Sequence, residues 1–193
     1  SHDDYETDEE YFSAIEEKVA ELRPQENGKM RSFKETRKSY FDHLNKKAEF
    51  ITTGFKKYDE WAKGLWRGWL FISAGRPSVG KTAKLLQRIY GVAQKNQGAV
   101  LLWSQEMDEN QIKDRMISGI SGVNYGRLKS KNLSDSEWAR VEDAYEKLED
   151  LPIFVQDSSG VTIEEVRSTA KRFKRKYGKI AMIAVDYLQI MKI

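Results

Sequence analysis

Residues 75–82 read Gly-Arg-Pro-Ser-Val-Gly-Lys-Thr, a G-x-x-x-x-G-K-[ST] spacing that constrains the fold more than any other stretch of the chain. Such a loop binds phosphate only where a strand delivers it and a helix carries the chain away. Both flanks fit. The apolar run Trp69-Leu70-Phe71-Ile72 leads in, and Ala83 to Tyr90 leaves with helical periodicity. Gly75 and Gly80 let the backbone wrap a phosphate and aim its N–H groups inward. Of the residues between them Arg76, Ser78 and Val79 carry such a group, while Pro77 has none and stiffens the loop. Lys81 brings positive charge to the β- and γ-phosphates, Thr82 offers a hydroxyl to Mg²⁺, and Ala83 continues the helix. The motif predicts a site for a nucleoside triphosphate.

The rest of the chain narrows what can surround that site. A length of 193 residues suits one domain with a short appendage. The net charge of +3 is too small to argue by itself for a nucleic-acid partner. Cysteine is absent, which excludes disulfides and thiolate metal sites and fits a reducing compartment. His2 and His43 lie too far apart in sequence to suggest a histidine metal centre. No apolar run approaches the length of a membrane span and no signal peptide is visible, so the expectation is a soluble, cytoplasmic protein. Ser1-His2 reads as a cleavage scar on a chain cut from something longer.

Three regions are expected. Residues 1–10, carrying Asp3, Asp4, Glu6, Asp8, Glu9 and Glu10, read as an acidic disordered lead-in. Residues 11–49 read as a helical appendage. Tyr11, Phe12, Ile15, Val19 and Leu22 form one stripe, which Pro24 and Glu26-Asn27-Gly28 end. A second, strongly basic helix over 31–48 carries Phe33, Tyr40, Phe41, Leu44 and Ala48 near one face. From about residue 50 the pattern turns α/β. Strands are predicted at 69–74, 99–104, 152–156 and 180–185, all near-continuous apolar runs of the kind buried on both faces of a parallel sheet. Helices are predicted near 82–96, 109–121, 135–149 and 162–177. The last three begin with capping pairs, Asp108 with Gln111, Ser134 with Glu137 and Thr162 with Glu165. Alternating strands and helices imply a doubly wound, mostly parallel sheet.

In such sheets a ligand sits beyond the carboxyl ends of the strands, and acidic residues stand there. Asp186 closes the run Ile-Ala-Met-Ile-Ala-Val, where it can hold Mg²⁺ directly or through water; the plainer reading is a turn cap. Glu106 follows strand 99–104 and suits either a carboxylate that activates water or a solvated cap for the helix near Glu109. Asp157-Ser158-Ser159-Gly160 can face the same cleft but reads well as a turn. The run Lys171-Arg172-Phe173-Lys174-Arg175-Lys176 mixes cations with an aromatic. On a helix, though, Val166, Ala170, Phe173 and Tyr177 make the buried side, and the cations fan over a solvated face. The five tryptophans, Trp61, Trp66, Trp69, Trp103 and Trp138, read as core or interface before base-stacking platforms.

Together these residues resemble the motor domain of DnaB-type replicative helicases, which are RecA-like ATPases. The matches run in order: Thr53-Gly54-Phe55 with Asp59 and Gly64-Leu65, then Gly75 to Ala83, then Ser104-Gln105-Glu106-Met107 with Gln111 and Arg115. Glu137-Trp138, Thr162-Ile163 and Asp186-Tyr187-Leu188-Gln189 complete the set, which covers about residues 50–193. The resemblance implies a RecA-like core that binds ATP and Mg²⁺, with Glu106 as the catalytic carboxylate and Arg115 against the base. It also implies a hexameric ring on single-stranded DNA, with a helicase loader and primase as partners. The helix at 31–48 stands where the family has a linker helix that docks on the adjacent subunit.

In the family the motor continues well past the position of Asp186, through later strands, a polar sensor and an arginine finger offered to a neighbour. The resemblance therefore implies an incomplete sheet with an exposed edge, and a chain that binds nucleotide yet hydrolyses it weakly or not at all. Two other readings fit the same residues. One is a RecA-like recombination ATPase; the other is a non-catalytic module that binds a helicase subunit or loader.

Overall fold

The computed structural model describes residues 30–46, 49–73, 79–95 and 98–186. They fall into two units, Ser1–Ala48 and Glu49–Ile193. The first contains helix α1, Phe33–Leu44, which Ser32 starts with a full capping box: Glu35 N–H donates to the Ser32 hydroxyl, and the Ser32 N–H and hydroxyl donate to the Glu35 carboxylate. This helix is shorter than the expected 31–48. None of its residues is buried, and Phe33, Tyr40, Phe41 and Leu44 all stand exposed. The predicted stripe from Tyr11 to Leu22 lies outside the described residues, as do Lys47 and Ala48.

The second unit starts with a short antiparallel ladder, β1 (Phe50–Ile51) against β2 (Leu65–Trp66), bracketing helix α2 (Lys56–Ala62). Asp59 of α2 ties the bracket together. Its carboxylate accepts from the Thr52 hydroxyl, from the Thr53 N–H at 2.9 Å and from the Thr53 hydroxyl at 2.7 Å.

Next come α3 (Lys81–Gln94), β3 (Ala99–Ser104), α4 (Glu109–Ser121), α5 (Tyr125–Lys129), α6 (Asp135–Glu149), β4 (Ile153–Gln156), α7 (Ile163–Tyr177) and β5 (Ile180–Asp186). The three strands form one parallel sheet in the order β4-β3-β5. Every residue of β3 is buried, as a central strand covered on both faces requires.

Alternation along β3 splits the core in two. Val100 and Leu102 pack with Leu86, Ile89 and Val92 of α3 and with Ile112 and Met116 of α4. Ala99, Leu101 and Trp103 face the other way, onto Val166, Ala170 and Phe173 of α7. Phe154 of β4 meets Phe173 edge-on at 4.7 Å and Tyr177 at 4.9 Å, which anchors the apolar side of α7. Helices on both faces of a parallel sheet are what the alternating pattern implied. The capping pairs also stand as read: Asp108 accepts from Gln111, and Ser134 and Thr162 each complete a capping box.

One predicted strand is absent. Residues 69–73 of the expected 69–74 strand take no strand conformation, and Trp69, Leu70, Phe71 and Ile72 are 46–81% exposed. An apolar run becomes a strand only if a ladder pairs it and layers cover it. Among the described residues β5 pairs only with β3, so the edge of the sheet beside β5 is open there. Of the tryptophans, only Trp103 lies in the core; Trp61, Trp66, Trp69 and Trp138 reach the surface.

Candidate nucleotide-binding site

Because the strands are parallel, their carboxyl ends share one edge, and the register aligns them: Trp103 lies opposite Gln156, and Ser104 opposite Asp186. Gln105 N–H donates to the Asp186 carbonyl at 2.9 Å, which extends the β3–β5 ladder to the last described residue. The chain past β3 is tied down as well. The Ser104 hydroxyl donates to the Met107 carbonyl at 2.6 Å, and the Gln105 side-chain oxygen accepts from Gly160 N–H at 3.1 Å. Glu106 sits between these anchored residues with its side chain exposed.

Helix α3 brings the phosphate-loop residues to the same edge. Gly80 is its N-cap at φ +85°, a left-handed conformation that glycine adopts without strain; a Cβ there would meet no neighbour, so the constraint is conformational. The first turn of a helix directs N–H groups and the positive end of its dipole outward. Lys81 and Thr82 open this turn, and the Thr82 hydroxyl donates to an Asp186 carboxylate oxygen at 2.8 Å. Residues 104 positions apart in sequence are thereby joined. Gly75, Arg76, Pro77 and Ser78 lie outside the described residues, while Val79 and Gly80 are exposed.

A hydroxyl and a carboxylate in contact suit Mg²⁺, which takes one or two protein oxygens and completes its shell with water and phosphate oxygens. Among the described residues no group of three or more His, Cys, Asp or Glu side chains could form a protein-only cage. Asp157 has a different employment: its carboxylate accepts from Glu109 N–H at 3.0 Å, at the start of α4. That is a helix-capping role, which the turn reading of residues 157–160 did not include.

Arg115 and Ala83 lie on a cleft of about 1150 Å³ between α3, α4, α5 and the end of α6, also lined by Gln87, Tyr90, Tyr125 and Lys147. The Arg115 guanidinium lies over the Tyr125 ring at 4.8 Å. Sequence reading missed Tyr125. The available signal was Asn124, whose side chain accepts from Gly126 N–H and starts α5.

Residues 50–193 match the family described as the DnaB-like helicase C terminal domain. The chain is 31% identical over 191 residues to the replicative DNA helicase DnaC of Bacillus subtilis, covering 95% of this chain and 42% of that protein. It is 37% identical over 144 residues to the replicative DNA helicase DnaB of Haemophilus influenzae, covering 74% of this chain and 31% of that one. The chain therefore spans less than half the length of these relatives. Two solved structures share the fold. One, an ATPase domain, gives a TM-score of 0.72 at 23% identity, over 84% of this chain and 59% of that one. A DnaB-like replicative helicase, solved to show its interactions with primase, gives 0.73 at 24% identity, over 92% and 43%.

Proposed function

The chain belongs to the DnaB-like helicase C-terminal domain family, and from that premise we propose that it is the ATP-binding motor portion of a hexameric replicative DNA helicase, working in the cytoplasm. In the complete protein, hydrolysis would drive movement on single-stranded DNA and separation of the duplex. The observation that carries this reading is the 2.8 Å contact between the Thr82 hydroxyl and Asp186, which joins the phosphate-loop helix to the carboxyl end of β5.

Each site residue has a role in this reading. The backbone N–H groups of Gly75, Arg76, Ser78, Val79 and Gly80 and the Lys81 ammonium hold the phosphates, with Ala83 continuing the helix behind them. Thr82 and Asp186 would hold Mg²⁺, which when bound would supply positive charge to neutralise the phosphate oxygens. Glu106 orients and deprotonates the attacking water, and its exposure on a tethered segment suits that task. Arg115 packs against the base, which enters the cleft beside Tyr125.

Residues 11–49 serve in this reading as the docking segment, with the exposed aromatic side chains of α1 seated on the next subunit of a ring. A helicase loader and primase complete the set of partners. An active site at a subunit junction needs a neighbour's arginine, so the 193-residue chain alone is expected to bind nucleotide better than it hydrolyses it. The test is Mg²⁺-dependent ATP binding and hydrolysis, with and without single-stranded DNA, beside Lys81→Ala. Binding lost in the variant supports the site; equal binding by both proteins refutes it.

A further inference from the structure

Arg88 projects from the middle of α3 and is 5% exposed, an unusual place for a cation. Its Nε has no hydrogen-bond partner among the described residues. Burial lowers the pKa of the guanidinium, and Tyr58 and Asp59 push it back up. A buried charge with an unsatisfied nitrogen calls for a compensating interaction. Here that interaction is aromatic. The guanidinium carbon lies 4.4 Å from the centre of the Phe71 ring and 5.9 Å from that of Phe55.

The position of Arg88 follows from the backbone one turn further on. Gly91 packs directly against Thr53 and Gly54: a Cβ on Gly91 would fall 2.7 Å from the Gly54 Cα and from the Thr53 carbonyl oxygen. That approach sets α3 against the segment that Asp59 organises, and Arg88 meets Phe55 there. Phe71 stands on the segment leading into the phosphate loop, and α3 is the helix leading out. One side chain therefore bridges both flanks.

We propose that Arg88 is a positioning residue for phosphate binding: its buried guanidinium holds Phe71 against α3 and so fixes the incoming segment relative to Lys81 and Thr82. This rests on the nucleotide-site reading above, and it adds a residue outside the G-x-x-x-x-G-K-[ST] motif. Arg88 is buried two turns along α3 from Lys81, so its influence runs through the geometry of the two flanks. The effect should fall on phosphate affinity and leave base recognition alone.

The experiment titrates the 193-residue chain with a fluorescent ATP analogue and with inorganic tripolyphosphate, both with Mg²⁺. Arg88→Met keeps the aliphatic stem and removes the cation; it should weaken both ligands by the same factor, roughly threefold to thirtyfold. Arg88→Lys should recover part of the loss. Phe71→Leu should weaken both ligands similarly, and the double variant should be no weaker than the poorer single one. Wild-type affinity in Arg88→Met, additive losses in the double variant, or a loss confined to ATP would each overturn the proposal. If Arg88→Met does not fold, Phe71→Leu and Arg88→Lys decide: undiminished tripolyphosphate binding in Phe71→Leu overturns it. Wild-type protein that binds neither ligand, or Lys81→Ala that binds both, would instead refute the underlying site reading.

Discussion

Gly91 in α3 and Gly54 before α2 touch backbone to backbone, leaving no room for a side chain on either: a Cβ on Gly54 would stand 2.6 Å from the Gly91 Cα. The contact explains glycine in the middle of a helix, where alanine is ordinarily preferred by about 1 kcal/mol. Gly91→Ala should therefore destabilise the protein, by about 1–3 kcal/mol, because backbone can yield only by shifting α3. Gly119, on α4, has nothing within 4 Å of an added Cβ. Gly119→Ala should stabilise by up to about 1 kcal/mol through helix propensity alone. Urea unfolding of the two variants beside the parent checks the opposite signs.

Glu106 offers a separation of binding from chemistry. Its side chain is exposed while its neighbours are tethered through Ser104 and Gln105. Glu106→Gln keeps size and polarity but cannot take a proton. ATP affinity should stay within about twofold, while hydrolysis by the assembled protein should fall by about 10²- to 10⁴-fold. Single-turnover rates with bound nucleotide are the measurement. Unchanged turnover would return Glu106 to the role of solvated cap.

Arg115 and Tyr125 test the other end of the ligand. Their 4.8 Å stacking contact lines the cleft beside α3. Arg115→Ala should weaken ATP by roughly threefold to tenfold and leave inorganic tripolyphosphate unaffected, since the lost packing concerns the base. Titration calorimetry with both ligands makes the comparison. Equal losses would move Arg115 to the phosphates.

The elements that position this site were legible where physics is local or the pattern is strong. The apolar runs of β3 and β5 and the capping pairs at Ser134 and Thr162 needed no knowledge of the rest of the fold. The β1–β2 ladder escaped because two-residue strands carry no periodicity, and α5 because five residues make hardly more than a turn. Trp69 to Ile72 misled for a deeper reason. Apolarity signals that a segment can be buried, but strand pairing depends on a neighbour that local sequence does not specify. Arg88 was hidden in the same way. A cation within a helical repeat reads as exposed until Gly91 and Phe71 show what surrounds it.

Asp59 makes the stability of this unit depend on acid. Burial alone would raise its pKa. Hydrogen bonds from the Thr52 hydroxyl, the Thr53 backbone and hydroxyl and the Gly54 backbone outweigh that effect and leave it below the usual 3.8. Between the depressed folded value and the unfolded one, the unfolded chain binds more protons, so stability rises with pH through that window. The contribution is full above the unfolded pKa and disappears as pH falls through the folded one. Asp59→Asn cannot ionise, so it should be less stable than the parent at pH 7, and the gap should narrow from about pH 5 downward. Urea midpoints across pH 3–7 give the comparison. Parallel curves for the two proteins would mean that the carboxylate's charge contributes nothing to holding Thr52 and Thr53, and that hydrogen-bonding shape alone orders the segment against which Gly91 and Arg88 pack.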